Sequence, residues 1–323
     1  MTAGEGTEPG VALSVEGLTK RYGSLVAVDD LSLQVYEGEV FGLLGPNGAG
    51  KTTTISMMCG LLKPDAGRVV IDGVVARGSD ADVRSRVGVC PQEVVLWQKL
   101  TCLQQLTFVG EMYGVAAKEA RVRGVRLLQD MGLVEKTNSL AATLSGGMKR
   151  RLNLALALVH DPVILVLDEP EAGLDPQSRV MVRDYIRSLA RRKTVIVTTH
   201  NMDEADRIAD RVAIVDHGKL LALDTPEALK RSVGGGDVLE IDLAADLADF
   251  GERAQAAVAF LGERATATVA GHKLFVRALD AVALLPEVIY ALTEAGCVPG
   301  EVRVRQSSLE DVFIQMTGKG LRA

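Results

Sequence analysis

Aromatic residues are scarce in this chain: Trp, Tyr and Phe make up 4 % of its 323 residues, with a single Trp. A core built on aromatic clusters is therefore disfavoured, and α/β layers of Val, Leu and Ala are expected instead. Cysteine is rarer still. Cys59, Cys90, Cys102 and Cys297 share no Cys-x-x-Cys spacing, which argues against a zinc centre or disulfide frame and for buried thiols in a reducing compartment. No apolar run approaches the roughly 18–20 residues that a membrane helix requires. The opening MTAGEGTEPG lacks the positive start and apolar core of a signal peptide, so the chain is expected to stay in the cytosol. An excess of positive charge is also missing. The formal net charge of −6 argues against a broad nucleic-acid face. The length suggests about two domains.

Glycine is present where phosphate chemistry needs it. Gly45, Pro46, Asn47, Gly48, Ala49, Gly50, Lys51, Thr52 and Thr53 read GPNGAGKTT, which contains Gly-x-x-x-x-Gly-Lys-Thr, the P-loop pattern. The apolar VFGLL precedes it and reads as a buried strand, and TTISMM after it runs to Gly60 without a breaker. Strand, glycine loop and helix are the context this pattern requires. Glycines let several N–H groups turn inward, and the helix N-terminus adds its positive dipole end. Lys51 is expected to reach β- and γ-phosphates, and the Thr52 hydroxyl to bind Mg²⁺.

Residues 1–10 read as a tail. VALSVEGL and LVAVDDLSLQV then suggest a small antiparallel sheet leading into the P-loop strand. Tyr22 lies on the intervening turn, either as a ring stacked on a base or as a sheet-edge tyrosine packing on its neighbours. Arg86–Glu93 reads as a strand entering a polar loop, with Gln92 at its end, where parallel sheets gather ligands. There Gln92 is either a Mg²⁺ or water contact or a solvated loop residue. From Leu100 to about Leu133 apolar residues recur three and four apart, and strand signal is weak between Trp97 and His160, so a helical subdomain is expected. Ser145 fits an N-cap, and Gly146 and Gly147 expose backbone N–H groups after it. That makes a second helix start suited to phosphate, or an ordinary cap followed by a solvated basic turn.

VILVLDE joins five consecutive apolar residues to two acids. It reads as a central parallel strand with carboxylates at its C-terminal end. A P-loop ATPase needs one carboxylate for the Mg²⁺ shell and another to polarise water. Asp168 fits the first role and Glu169 the second. GLDP, containing Asp175, is a turn before a helix. TVIVTTH is a third core strand whose His200 is either a γ-phosphate contact or a capping or surface histidine.

In this order the pieces resemble the nucleotide-binding domain of ATP-binding cassette (ABC) transporters over about residues 11–232. GPNGAGKTT matches the Walker A motif, Gln92 the Q-loop, LSGGM the family signature and ILVLDEP Walker B. GLDP matches the D-loop, His200 the switch histidine, and Tyr22 the aromatic base-stacking position. The resemblance implies ATP and Mg²⁺ as ligands and Glu169, His200, Gln92 and Lys51 as catalytic residues. Thr52, Gln92 and Asp168 would hold the metal. It also implies head-to-tail pairing, each ATP lying between one Walker A and the partner's Ser145, Gly146 and Gly147, with Asp175 at the interface. One set of motifs means that pairing is with a second copy or a similar ATPase chain. A separate transmembrane permease and a peripheral place on the inner face of the cell membrane follow from the same likeness; nucleic acid does not. Glu171 departs from the pattern, standing where Thr or Ser commonly follows Glu-Pro. LWQKLT also departs, in a region that contacts the membrane partner.

Gly234–Gly236 reads as part of a linker over 233–237. Beyond it, over 238–318, the order β-α-β-β-α-β is that of a ferredoxin-like unit, followed by the helix SSLEDVFIQMTG, capped by Ser307 or Ser308, and a tail at 319–323. No cluster in this part supports separate chemistry, so a regulatory or dimerisation role is expected. SLEDVF is similar to the ending of ATPase subunits from daunorubicin-resistance-type exporters. The expectation is thus a P-loop NTPase core with antiparallel β and helical (about 93–160) subdomains, a small α+β C-terminal domain, and ATP hydrolysis driving efflux through a separate membrane subunit. The alternatives are a soluble non-transport ABC ATPase and an ATP-binding regulatory module.

Overall fold

A computed structural model describes residues 10–76, 81–232, 236–243 and 250–317. Residues 1–9 of the tail expected at 1–10, the whole tail expected at 319–323 and the linker residues 233–235 lie outside them. Gly10 does not belong to a tail, because its carbonyl accepts a backbone hydrogen bond from Glu37 N at 2.8 Å. The chain divides into two compact units, Met1–Leu223 and Asp224–Ala323.

In the first unit β1 (Val11–Tyr22) and β2 (Leu25–Tyr36) form a long antiparallel hairpin. β3 (Val40–Leu44) enters the glycine loop, and α1 (Lys51–Met58) leaves it. β4 (Ala66–Ile71) pairs antiparallel with β1, and β5 (Val74–Val75) extends that sheet. α2 (Ala81–Arg86) precedes β6 (Val87–Cys90). Arg86, read from the sequence as the start of a strand, is therefore the last residue of a helix. α3 (Cys102–Met112), α4 (Ala117–Asp130) and α5 (Gly146–Leu158) follow, with two short 3-10 turns between α4 and α5. α3 opens with a capping box: Gln104 N donates to Thr101 Oγ1 and Thr101 N donates to Gln104 Oε1.

β7 (Ile164–Asp168), α6 (Pro176–Leu189), β8 (Thr194–Thr199), α7 (Met202–Ile208), β9 (Arg211–Asp216) and β10 (Lys219–Asp224) complete the unit. The central sheet runs β10-β9-β3-β8-β7-β6, and the pairs β9–β3, β3–β8, β8–β7 and β7–β6 are parallel. Strands β3, β7 and β8 are buried along their whole length, because both faces of the sheet are covered. Period-two alternation divides them between two cores. Leu165, Leu167, Val195 and Val197 pack with α3–α6. Phe41, Leu43, Ile164, Val166 and Ile196 pack with α1 and the β1–β2–β4 sheet.

This packing leaves little room. A Cβ on Gly88 of β6 would lie 2.0 Å from the Ala157 carbonyl oxygen of α5. Gly88→Ala is expected to cost about 1–3 kcal/mol, read as a lower thermal midpoint of the chain. Burial pushes the Cys59 thiol up to about 12 and Cys90 up to about 11. All four cysteines are buried thiols, as expected of inert ones.

In the second unit α8 (Pro226–Ser232) packs against the last helix, so the division precedes TPEALKRS rather than following it. β11 (Asp237–Leu243), α9 (Phe250–Ala257), β12 (Thr266–Ala270), β13 (Lys273–Ala278), α10 (Ala281–Glu294), β14 (Pro299–Gln306) and α11 (Leu309–Thr317) come next. Asp237, expected in the linker, is already in β11. The sheet order β12-β13-β11-β14, with all three neighbouring pairs antiparallel, is that of a ferredoxin-like unit. The helix α9 ends at Ala257 and is followed by a 3-10 turn with non-helical backbone at Gly262.

Candidate functional site: a nucleotide cleft at the carboxyl ends of the parallel strands

Strand β3 delivers the chain to the loop at the sheet's carboxyl edge, where open α/β sheets bind ligands. Gly50 adopts φ 99°, and a Cβ there would lie 2.3 Å from the Ala27 carbonyl oxygen. A Cβ on Gly45 would lie 2.2 Å from that of Val215. Both positions admit glycine alone, and the loop curls tightly for that reason. α1 then starts at Lys51 with its N-terminus at the loop.

Lys51 is 6 % exposed, and its ammonium donates to the carbonyls of Gly45 (2.7 Å) and Pro46 (3.1 Å). Burial lowers its pKa, while the charges of Glu169 and Asp168 act the other way. Thr52 Oγ1 lies 3.4 Å from Asp168 Oδ2, and Thr198 Oγ1 donates to Asp168 Oδ1. Glu169 follows with φ 48°, a left-handed backbone that a non-glycine residue holds only under constraint. Its N–H donates to both the carbonyl and the hydroxyl of Thr198 on β8, each at 3.1 Å. Its carboxylate is spanned from both sides. Gln92 Nε2 donates to Oε2 at 3.0 Å, and His200 Nδ1 donates to Oε1 at 2.9 Å. That bond places a proton on Nδ1.

A cleft of about 370 Å³ is lined by Asn47 to Thr53, Gln92, Glu169, Tyr22, Leu25, Val26, Ala27 and His217. Tyr22 ends β1, pairs with Leu25 and is half exposed, so its ring is both at the sheet edge and on the cleft. A larger concavity of about 820 Å³ lies between α4 and α6. It has no glycine cradle, and several of its ions are already paired, Arg123 with Glu119 and Lys193 with Asp161. The smaller cleft is the better candidate on chemistry.

The structure thus brings Lys51, Thr52, Gln92, Asp168, Glu169 and His200 together. It does not bring Ser145, Gly146, Gly147 or Asp175 to the cleft. Ser145 caps α5 by accepting from Met148 N at 3.3 Å, and Asp175 caps α6 by accepting from Ser178 N at 3.0 Å. That backbone bond, with the Ser178 hydroxyl, lowers the Asp175 pKa. A Cβ on Gly147 would lie 2.6 Å from Ser178 Oγ, so these two caps adjoin each other. Glu171 is not an acid on the loop surface. It is 1 % exposed, and Arg183 of α6 donates to both of its oxygens at 3.2 Å.

Sequence reasoning missed Thr198 and His217. A hydroxyl near the end of the strand TVIVTT was a usable signal for Thr198. His217, in a turn between two strands, carried none. Turn and loop are joined, since Gly218 N donates to the Ala49 carbonyl at 3.0 Å.

Among the described residues no group of three or more His, Cys, Asp or Glu could hold a metal by itself. The donors that are present, a hydroxyl on a carboxylate with a nearby amide, are hard oxygen chemistry. They fit Mg²⁺, which takes one or two protein oxygens and completes its shell with phosphate and water.

The sequence profile of the ABC transporter family matches residues 28–172. The Nod factor export ATP-binding protein I of Ralstonia nicotianae is 41 % identical, with 96 % of this chain and 95 % of that one covered. The daunorubicin resistance ATP-binding protein DrrA3 of Streptomyces coeruleorubidus is 39 % identical over 96 % and 97 %. The linearmycin resistance ATP-binding protein LnrL of Bacillus subtilis is 35 % identical over 96 % and 99 %. Among solved structures, an ATP-binding subunit of an ABC transporter is similar at TM-score 0.63 and 28 % identity, covering 68 % of this chain and 92 % of that one. The dimeric cassette MJ0796 bound to ADP and Pi is similar at 0.61 and 26 %, covering 66 % and 98 %. The P-loop, the paired carboxylates and this likeness over almost the whole length agree: the chain belongs to the ATP-binding subunits of ABC transporters.

Proposed function

We propose that this chain hydrolyses ATP with Mg²⁺ in a head-to-tail pair and so drives efflux through a separate membrane subunit. The observation that carries this reading is the split of the site. The P-loop and Glu169 line one cleft, with Asp168 bonded to Thr52 and His200 to Glu169 beside it, while Ser145, Gly146 and Gly147 form a second phosphate-suited helix start away from it. A second chain, a copy or a similar ATPase, brings its Ser145 end over this cleft. The Asp175 caps lie beside those glycines and meet at the same seam.

Within the cleft Lys51 exchanges two loop carbonyls for phosphate oxygens. Tyr22 presents its ring to the base. Thr52, Asp168 and Gln92 would hold Mg²⁺, which when bound neutralises charge on the phosphate oxygens. Glu169 accepts the proton of the attacking water, and His200 holds that carboxylate in place while bonding the γ-phosphate side. Export is inferred from the relatives, which serve Nod factor export and daunorubicin and linearmycin resistance; the cargo is assigned to the drug, antibiotic or lipid-like class. Among the described residues no helix is long and apolar enough to cross a membrane. In this reading the transport path belongs to a separate membrane subunit. The Gln92 loop is its docking place, on the membrane's inner face.

Mixing two inactive variants tests the split site. Lys51→Ala disables a P-loop and Ser145→Arg a signature. In mixed pairs one of the two composite sites is intact, so mixing is expected to restore about a quarter of full phosphate release. No recovery on mixing, with both variants folded, would mean that each site is complete within one chain.

A further inference from the structure

Arg150 lies one turn into α5, and 3 % of its surface is exposed. A guanidinium has five N–H donors, and here all five point at main-chain carbonyls. Nη1 reaches Pro91 at 2.6 Å and Gln92 at 2.8 Å. Nη2 reaches Asp168 and Glu169, each at 2.7 Å, and Nε reaches Pro170 at 3.2 Å. The first two carbonyls belong to the loop after β6, the other three to the end of β7. These are the two segments whose side chains, Gln92 and Glu169, hold each other across the cleft at 3.0 Å.

The tie acts on backbone position. Neither segment can shift without leaving a buried charged donor unpaired, which is costly. It also closes the second side of a strained residue. Glu169, at φ 48°, is held at its N–H by Thr198 and at its carbonyl by Arg150. α5 is at the same time the helix capped by Ser145. One rigid element therefore carries the phosphate-suited N-terminus at one end and the clamp on Gln92 and Glu169 a turn later.

We propose that Arg150 is a positioning residue for hydrolysis. It sets Gln92 and Glu169 relative to each other and to α5, so that engagement of the Ser145 end by a partner's nucleotide adjusts the carboxylate of this chain's own site. The link to the partner rests on the head-to-tail pairing proposed above; the clamp within the chain does not.

The test uses the full chain with Arg150→Met, which keeps an apolar stem and removes five donors, and Arg150→Lys, which offers one ammonium in place of a planar fork. ATP affinity, kcat, KM and thermal midpoint are measured for both. Misplacing the carboxylate by a fraction of its reach is expected to lower kcat of Arg150→Met about a hundredfold. ATP affinity stays within about threefold because the P-loop is untouched. Arg150→Lys recovers part of the loss. A near-parental kcat in Arg150→Met overturns the proposal. So does a parallel loss of ATP affinity, kcat and thermal midpoint with Lys no better than Met, the pattern of a merely structural residue. If Arg150→Met does not fold, the same split between kcat and affinity in Arg150→Lys decides. Pairing is followed separately, by gel filtration of Glu169→Gln with ATP. If that chain stays single, the link to the partner is overturned, while the kcat readout still judges the clamp.

Discussion

Glu169→Gln binds ATP with near-parental affinity, turns it over about 10²–10⁴-fold more slowly, and accumulates as a pair of chains when ATP and Mg²⁺ are present. The affinity survives because the P-loop and Lys51 are unchanged. Hydrolysis fails because an amide does not accept a proton from water. The neighbours make the substitution more than a loss of charge. His200 Nδ1 can still donate to the new amide oxygen, but the new NH₂ then faces Gln92 Nε2, where the carboxylate had accepted at 3.0 Å. One amide must turn over to avoid two opposed donors. Phosphate release and gel filtration measure the two halves of this result. Turnover within about threefold of the parent would remove Glu169 from the role of base.

Asp311→Ala loosens the second unit by about 3–5 kcal/mol, the range for breaking a buried ion pair from one side. Asp311 and Arg277 are both buried, at 0 % and 1 % exposed. The carboxylate accepts from Arg277 at 2.8 Å, from Arg305 at 2.5 and 2.8 Å, and from the N–H and hydroxyl of Ser308 at 2.9 Å each. The Nε and Nη1 of Arg277 have no hydrogen-bond partner, so its charge rests on Asp311. The cluster ties β13 and β14 to the first turn of α11. Hydrogen exchange of the β11, β13 and β14 amides reads the effect as about two to four orders of magnitude of faster opening. Unchanged exchange would mean that the cluster adds nothing.

The same carboxylate predicts an acid limit. Burial alone would raise its pKa; the bonds from Arg305, Arg277 and Ser308 outweigh burial and hold it well below the usual carboxylate range. A folded-state pKa below the unfolded value of about 3.9 contributes stability that is fully present above about pH 5 and lost as pH falls toward the folded value. The second unit should therefore weaken steadily in acid, and Asp311→Ala should flatten that part of its pH profile.

Glu171 differs from Asp311 in reach rather than in kind. It too is a buried acid met by Arg, but Arg183 is partly open to solvent and Glu171 stands beside the D-loop turn. From the sequence it stood as an extra acid where Thr or Ser is usual. It is an anchor between the end of β7 and α6.

What could be read without coordinates was whatever is local. GPNGAGKTT carries its glycines, Lys51 and Thr52 at offsets within one loop, and the backbone geometry of that loop is set by those few residues. VFGLL, VILVL and TVIVTT announce buried strands because a sheet covered on both faces has no polar side to interrupt the run. The β-α-β-β-α-β order was legible for the same reason, each element having its own period. Contacts between distant residues were not. Arg150 meets Pro91 from 59 positions away, Asp210 accepts from Val40 N across 170, and Thr198 supports Asp168 across 30. A guanidinium after two glycines looks like a solvated basic turn until the fold puts five carbonyls around it. His217 looks like a turn residue until β9 returns it to the P-loop. The residue types that do the chemistry were chosen locally and showed themselves. The groups that hold them in place were brought in by chain crossings that no short window of sequence contains.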